Sequence, residues 1–251
     1  MKTIIKISAL AIVALLMTSH RPNVDIRSSM VRFDQAFLPA LEYTLRGDGH
    51  EAKRAVFYLE FEWRKLRSRL QHRYPEERQF LSRIDDWLGD AYFAIDANCP
   101  VTAANQLEHV KYEMMELRDR KGIDYYLDDL YDFQGGLEVL AEAAADEMLC
   151  LMEWPEFVAL SDDLQREWAA IQQKPFDAAL YEFDAGDVRQ LRYQQQSMKE
   201  ALDNFAKAVD SAQRDEIEQA SQALEPAFGQ VLHLFGNFDA TKTYFAQRNN
   251  Y

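Results

Sequence analysis

The chain has few of the residues that interrupt helices. It contains only nine glycines and seven prolines in 251 residues, and strand-like alternation of apolar and polar residues is scarce. Apolar residues recur instead at the three-to-four-residue spacing that places them on one buried face of a helix. The sequence therefore predicts an all-α fold.

Several catalytic and cofactor motifs are missing as well. There is no C-x-x-C-H motif, which excludes covalent haem attachment. There is no Glu-x-x-His motif, which a ferritin-like di-iron site would need twice. G-x-S-x-G motifs, phosphate-binding glycine loops and local Cys/His motifs are also lacking. Acidic pairs such as Asp128-Asp129 are interpreted as solvating or capping groups. We expect a non-catalytic protein without a cofactor.

A long apolar run is found only at the N-terminus. Lys2 and Lys6 accompany an apolar run over residues 7–17, and small polar residues follow it. This pattern is typical of a secretory signal, here assigned to residues 1–19. A buried N-terminal helix and an uncleaved anchor stay open as alternatives, and no A-x-A box marks a cleavage position. We expect a periplasmic or secreted protein, soluble and without a membrane span after signal removal.

The chain has fewer positively charged than negatively charged residues. The chain has 28 Lys and Arg residues against 42 Asp and Glu residues, which gives a formal net charge of −14. An acidic protein repels phosphate groups, so nucleic acids and anionic membrane surfaces are poor partners. Charge of this sign is also ordinary for solubility, and it does not indicate a fold.

The breaks between apolar stripes have recognisable helix-end chemistry. Pro100 stands where a first helical turn tolerates proline. Arg120-Lys121-Gly122 places cations and then a glycine at a helix C-terminus, and Asp124 is a candidate cap for the next helix. Short loops make sequential helices antiparallel. The pattern predicts eight helices, at about 31–46, 50–72, 76–96, 100–120, 124–150, 155–172, 187–210 and 213–236.

Eight antiparallel helices favour two tandem four-helix bundles. The predicted units are residues 28–122 and 123–240, followed by a polar and aromatic tail at 241–251. A weak internal repeat, in which Leu107-Glu108 corresponds to Leu224-Glu225, agrees with this division. The longest irregular stretch, Lys174 to Gly186, is the expected flexible connection. Gly135-Gly136 inside helix five either forms a hinge or admits a close neighbour.

Three segments carry a resemblance to known proteins. They are FLPALEYT, ELRDRKGIDYYLDDL and LEPAFGQVLHLFG, at residues 37–44, 116–130 and 224–236. Through them the chain resembles a group of periplasmic helical proteins of uncharacterised activity. Its helix pattern is similar to the exported four-helix bundles that include the four-helix cytochromes. The resemblance implies an architecture and a location, and it implies no activity.

One pair of side chains is a candidate metal site. His109 and Glu113 are four residues apart and therefore share a helical face, and Glu116 lies one turn further along. One imidazole with carboxylates binds divalent cations weakly, while the alternative is a solvated polar face. A b-type haem would need Met198 and His233 at one level, and we expect them roughly 12 Å apart along the bundle axis.

The two cysteines are the candidate disulfide. In an oxidising compartment Cys99 and Cys150 invite a bridge. If helices four and five form an antiparallel hairpin, both cysteines lie at one end of the bundle, within about 8 Å along its axis. A bridge requires Cα atoms about 4.4–6.8 Å apart. Two buried free thiols are the alternative.

Aromatic residues are concentrated near the C-terminus and include Phe228, Phe235, Phe238, Tyr244, Phe245 and Tyr251. They either cap the core or form a docking surface. The hypothesis that best fits these features is a non-catalytic periplasmic bundle that binds an unknown protein partner or small ligand. The alternative is a weak metal- or haem-binding bundle in metal handling or electron transfer.

Overall fold

The computed structural model describes residues 26–146 and 154–240, and all regular structure within these ranges is helical. The all-α prediction is confirmed. A single turn of 3-10 helix at Pro75–Glu77 precedes the third α-helix. The α-helices are α1 (Ile26–Leu45), α2 (Gly49–Arg73), α3 (Arg78–Asp96), α4 (Pro100–Arg120), α5 (Tyr126–Ala145), α6 (Trp154–Gln173), α7 (Ala185–Ser211), α8 (Arg214–Ser221) and α9 (Leu224–His233).

Helix ends follow the local chemistry in most places. Asp48 caps α2 by accepting a hydrogen bond from the backbone N–H of Glu51, and Asp184 forms a capping box at the start of α7. Gly122 adopts φ = +61° after α4, a conformation that favours glycine. The suggested cap of α5 is wrong, because Tyr125 holds that position without a side-chain cap. Asp124 binds Lys174 instead.

The last predicted helix, at residues 213–236, is two helices. Pro226 lies in the first turn of α9, where its missing N–H costs nothing. A continuous helix would bring the proline ring against the carbonyl group of Gln222, four residues earlier. The chain therefore breaks between α8 and α9.

The helices pack in two groups. In the first group α1, α2, α3 and α4 pack in sequence, and α4 returns to α1. In the second group α5, α6 and α7 pack in sequence, and α8 and α9 together pack on α7 and α5. α9 also contacts α1, and the buried side chains form one continuous core. Division into separate domains at residues 122 and 123 stays a prediction. No helix in the described ranges is long and apolar enough to cross a membrane.

The segment between α6 and α7 is irregular, as predicted, but it is held by aromatic packing. The ring of Tyr181 is buried and lies 5.4 Å from the ring of Phe235. Phe176 and Phe183 also pack against Phe235, at 6.0 and 5.2 Å between ring centroids. We expected this connection to be flexible, but its aromatic rings pack it against the second group.

The glycine pair of α5 lies inside a continuous helix. A Cβ atom on Gly136 would lie 2.8 Å from Cδ2 of Leu164 on α6, whereas a Cβ on Gly135 would meet nothing within 4 Å. Of the two interpretations, close approach of a neighbour therefore applies at Gly136, and the neighbour is a leucine.

Alanine substitutions at these two positions should differ in their effect on stability. Gly135→Ala is expected to stabilise the protein by about 0.5–1 kcal/mol, because alanine is the better helix former. Gly136→Ala has the same helical advantage but must displace the buried Leu164, and overpacking costs about 1–3 kcal/mol. Urea unfolding of both variants measures the difference. Equal stabilisation by the two would contradict the close contact.

Candidate functional site

A buried ion cluster joins the two helix groups. Arg118, near the end of α4, is fully buried, and Asp34 on α1 is 2% exposed. Asp128, in the first turn of α5, accepts hydrogen bonds from Arg118 Nε at 2.8 and 2.9 Å and from Nη2 at 2.5 Å. The Tyr125 hydroxyl donates a hydrogen bond to Asp34 Oδ2 at 2.6 Å. We call Asp34, Arg118, Tyr125 and Asp128 the ionic junction.

Local structure brings the ionic junction together. The turn at Gly122 places the end of α4 beside the start of α5, so a cation in a last helical turn faces a carboxylate in a first turn. Both positions are favourable for the respective helix dipoles. The Arg118 guanidinium also lies 4.4 Å from the centroid of the Tyr125 ring, a cation–π contact.

The charges of the ionic junction do not balance. One guanidinium faces two carboxylates, and the Asp34 carboxylate is only 3.6 Å from Arg118 Nη1, beyond hydrogen-bonding distance. Burial raises the pKa of Asp34 to about 6, although Arg118 and Tyr125 oppose the shift. Burial also raises the pKa of Asp128. For Arg118, burial alone lowers the pKa, but Asp34 and Asp128 keep it above its ordinary value.

An open acidic cleft of about 540 Å³ adjoins the ionic junction. Met115, Ile123 and Tyr125 supply its apolar wall. Among the described residues the only cation in its lining is Lys174, whose ammonium group lies 2.8 Å from Asp124 and 2.5 Å from Asp129. We call this 540 Å³ cleft the acidic cleft. Its carboxylates are Glu116, Asp119, Asp124, Asp128, Asp129 and Asp132.

Negative charge is concentrated at the acidic cleft. Burial raises the pKa of Asp132, and the neighbouring Asp129 and Asp119 raise it further. Burial likewise raises the pKa of Glu167 on α6, with Asp132 and Asp129 adding to the shift. Carboxylates that raise one another's pKa values are stabilised by an incoming positive charge. The cleft is therefore suited to a cationic group.

The predicted metal pair has other contacts. The ring of His109 is stacked on Trp87, with 4.5 Å between centroids. Glu113 accepts hydrogen bonds from Arg83 Nε and Nη2 at 2.9 and 2.8 Å. Within the described ranges no group of three or more His, Cys, Asp or Glu side chains is placed to hold a metal ion. The metal site stays a prediction, with its carboxylate already bound to an arginine.

The disulfide also stays a prediction. Cys99 is exposed, and its thiol lies 3.6 Å from the carbonyl oxygen of Ala97, so Cys99 is not the buried thiol of the alternative. Cys150 lies outside the described residues. The antiparallel hairpin of helices four and five, on which the expected bridge depends, is not formed by the described residues, because α4 and α5 do not pack along their length.

The C-terminal aromatics follow the capping interpretation where they are described. Phe228 and Phe235 are buried. The ring of Phe238 packs on Tyr43 of α1 at 5.9 Å and on His233 at 3.9 Å. Tyr244, Phe245 and Tyr251 lie outside the described residues.

The ionic junction does not follow from the sequence interpretation of Asp128 and Asp129, which makes them solvating or capping groups. A signal was present on α4. Lys111 and Arg118 occupy helical positions within the apolar stripe of that helix, and both are buried. A cation on a buried stripe requires a counter-ion, so its position could have prompted a search for a carboxylate partner.

Of the segments at residues 37–44, 116–130 and 224–236, the third contacts both of the others. Glu42, in the first, lies 3.1 Å from His233 in the third. Tyr126, in the second, stacks on Phe235 in the third at 6.0 Å. No protein-family model, curated protein or solved structure matches the chain.

Proposed function

We propose that the chain is an exported, non-catalytic helical-bundle protein whose acidic cleft binds a positively charged group of a protein partner or small ligand. The observation that carries this proposal is the lining of the cleft, where the described residues supply six carboxylates and one lysine and two of the carboxylates have no cationic partner among them.

Lys174 supports the proposed chemistry. Its ammonium group comes from the segment between α6 and α7 and binds Asp124 and Asp129. The cleft thus already accommodates one primary amine of its own chain. Asp119 and Asp132 form no ion pair among the described residues and remain for a second cation. An apolar wall beside them lowers the local dielectric and strengthens such an interaction.

Cation binding should depend on the cleft rather than on the net charge of the protein. We expect spermidine and a short oligolysine peptide to bind at low ionic strength, and salt to weaken both. Asp119→Asn combined with Asp132→Asn should weaken binding about tenfold, because two charges within a few ångströms of the ligand are removed. Isothermal titration calorimetry measures the affinities.

The matched control removes two charges elsewhere. Asp86 and Asp90 are exposed on α3, and their substitution by asparagine should leave the affinity within about twofold. Equal weakening by both double variants would show that net charge alone attracts the ligand. Absence of binding to both probes at low salt would overturn the proposal. A preference for the peptide over spermidine would favour a protein partner.

The alternative hypothesis is a weak metal- or haem-binding bundle. It predicts that the purified protein takes up haem, copper or iron in stoichiometric amount, which absorbance and metal analysis detect. Uptake that His109→Ala abolishes would favour this alternative over the cationic ligand.

A further inference from the structure

We propose that the ionic junction is a protonation-controlled clamp between α1 and the α4–α5 turn, and that it holds most firmly when Asp34 carries a proton. The clamp connects the two helix groups, because α1 and α4 belong to the first group and α5 to the second.

Asp34 carries its charge where water has little access. Arg118 and Asp34 are 0% and 2% exposed, whereas the Asp128 side chain is 20% exposed and lines the acidic cleft, so water cannot compensate for an unmatched charge on Asp34. With both carboxylates ionised, the ionic junction has one negative charge too many. Burying such a charge is expensive, and a buried carboxylate takes up a proton instead.

Geometry decides which carboxylate takes the proton. Asp128 receives three hydrogen-bonding contacts from Arg118 and keeps a partly exposed side chain. Asp34 has the Tyr125 hydroxyl at 2.6 Å, and its nearest cationic atom is Arg118 Nη1 at 3.6 Å. Nη1 makes no hydrogen bond to a described residue. The less well matched of the two carboxylates is therefore Asp34.

The groups around Asp34 act in opposite directions. Arg118 from α4 and the Tyr125 hydroxyl favour the ionised carboxylate, whereas burial and Asp128 from α5 favour the protonated form. Burial raises the pKa of the Tyr131 and Tyr181 hydroxyls and Asp34 raises it further, so both hydroxyls stay neutral. Within the described part of the chain, Arg118 is the only cation among these neighbours, and it is already bound to Asp128.

The direction of the pH dependence follows from the raised pKa of Asp34. The folded protein binds this proton more tightly than the unfolded chain, with a pKa of about 6 against an ordinary value of 3.8. The stabilisation from the proton is complete below about pH 4 and is lost as the pH rises through about 6. The clamp is therefore weaker in neutral solution than in mildly acidic solution.

The test compares wild type with Asp34→Asn across pH. Between pH 7.5 and pH 5 the Asp34 proton should raise the folding equilibrium constant of wild type about tenfold. Asp34→Asn cannot take up this proton and should lack that tenfold rise, whatever its absolute stability. Urea unfolding at pH 5, 6, 7 and 7.5 supplies the constants, and Asp86→Asn, exposed on α3, should follow wild type.

A second variant serves if Asp34→Asn does not fold. Tyr125→Phe removes the hydrogen bond that favours ionised Asp34, so its stability rise should begin at a higher pH than that of wild type. Parallel pH profiles for wild type and Asp34→Asn would overturn the clamp. A Tyr125→Phe profile that is unshifted, or shifted to lower pH, would overturn it as well.

Discussion

Replacement of Arg118 by methionine should lower the free energy of unfolding by about 3–5 kcal/mol. The substitution leaves the carboxylates of Asp34 and Asp128 without their cation, and solvent cannot replace it at Asp34, which is 2% exposed. It also removes the contact of the guanidinium with the Tyr125 ring. Urea unfolding at pH 7.5 measures the loss.

Arg120→Met is the matched control, since Arg120 lies on the same helix. Arg120 pairs with Glu77 and Glu116, and its side chain is 34% exposed. Exposed ion pairs contribute about 0–1 kcal/mol, so the control should lose no more than that. Similar losses in the two variants would show that Arg118 is not a buried counter-ion. Combining Arg118→Met with Asp34→Asn should recover part of the loss, because the two residues share one interaction.

Replacement of Trp168 by alanine should lower the free energy of unfolding by about 3–5 kcal/mol. Trp168 is buried in the second group, with Phe133 at 4.9 Å and Phe228 at 6.2 Å between ring centroids. Its indole N–H donates to the carbonyl oxygen of Gln195 at 3.1 Å. Because the core is continuous, we expect the whole protein to unfold in a single transition, and Trp168→Ala should lower the urea concentration at its midpoint.

Trp63→Ala tests the same idea from the first group. Trp63 is buried against Phe33, and its indole donates to Asp85 at 2.7 Å. We expect a similar loss and again a single transition, monitored by circular dichroism and by the remaining tryptophans. Trp87→Ala is the control. Trp87 is half-buried and stacked on His109, so its replacement should lower the free energy of unfolding by less. Two separate transitions would instead favour independent domains divided near residue 122.

The acidic pairs could not be distinguished from the sequence alone. Asp85-Asp86 and Asp128-Asp129 look alike in the sequence, and solvation or capping was a reasonable interpretation of both. In the structure Asp85 binds Trp63 and Arg67, and Asp128 binds the buried Arg118. Adjacent carboxylates point in different directions on a helix, so only the neighbouring helices determine which of them binds a partner from another helix.

Helix positions were open to prediction because they depend on local chemistry. Apolar spacing identified the first seven helices and joined α8 and α9 into one, and local signals located the breaks, such as the glycine at Gly122 and the proline at Pro100. The division of the last helix was also within reach, since Pro226 is visible in the sequence and proline disrupts a helix interior.

The sequence by itself thus determined an acidic, all-helical chain and the approximate ends of its helices. Only the tertiary structure decided that Arg118 is buried and that Tyr125, 91 positions from Asp34, donates a hydrogen bond to it. It also decided that Asp124 binds Lys174 in the acidic cleft. The physical reason is that helix formation depends on neighbours within a few residues, whereas the energy of a charge depends on burial and on partners that distant segments supply.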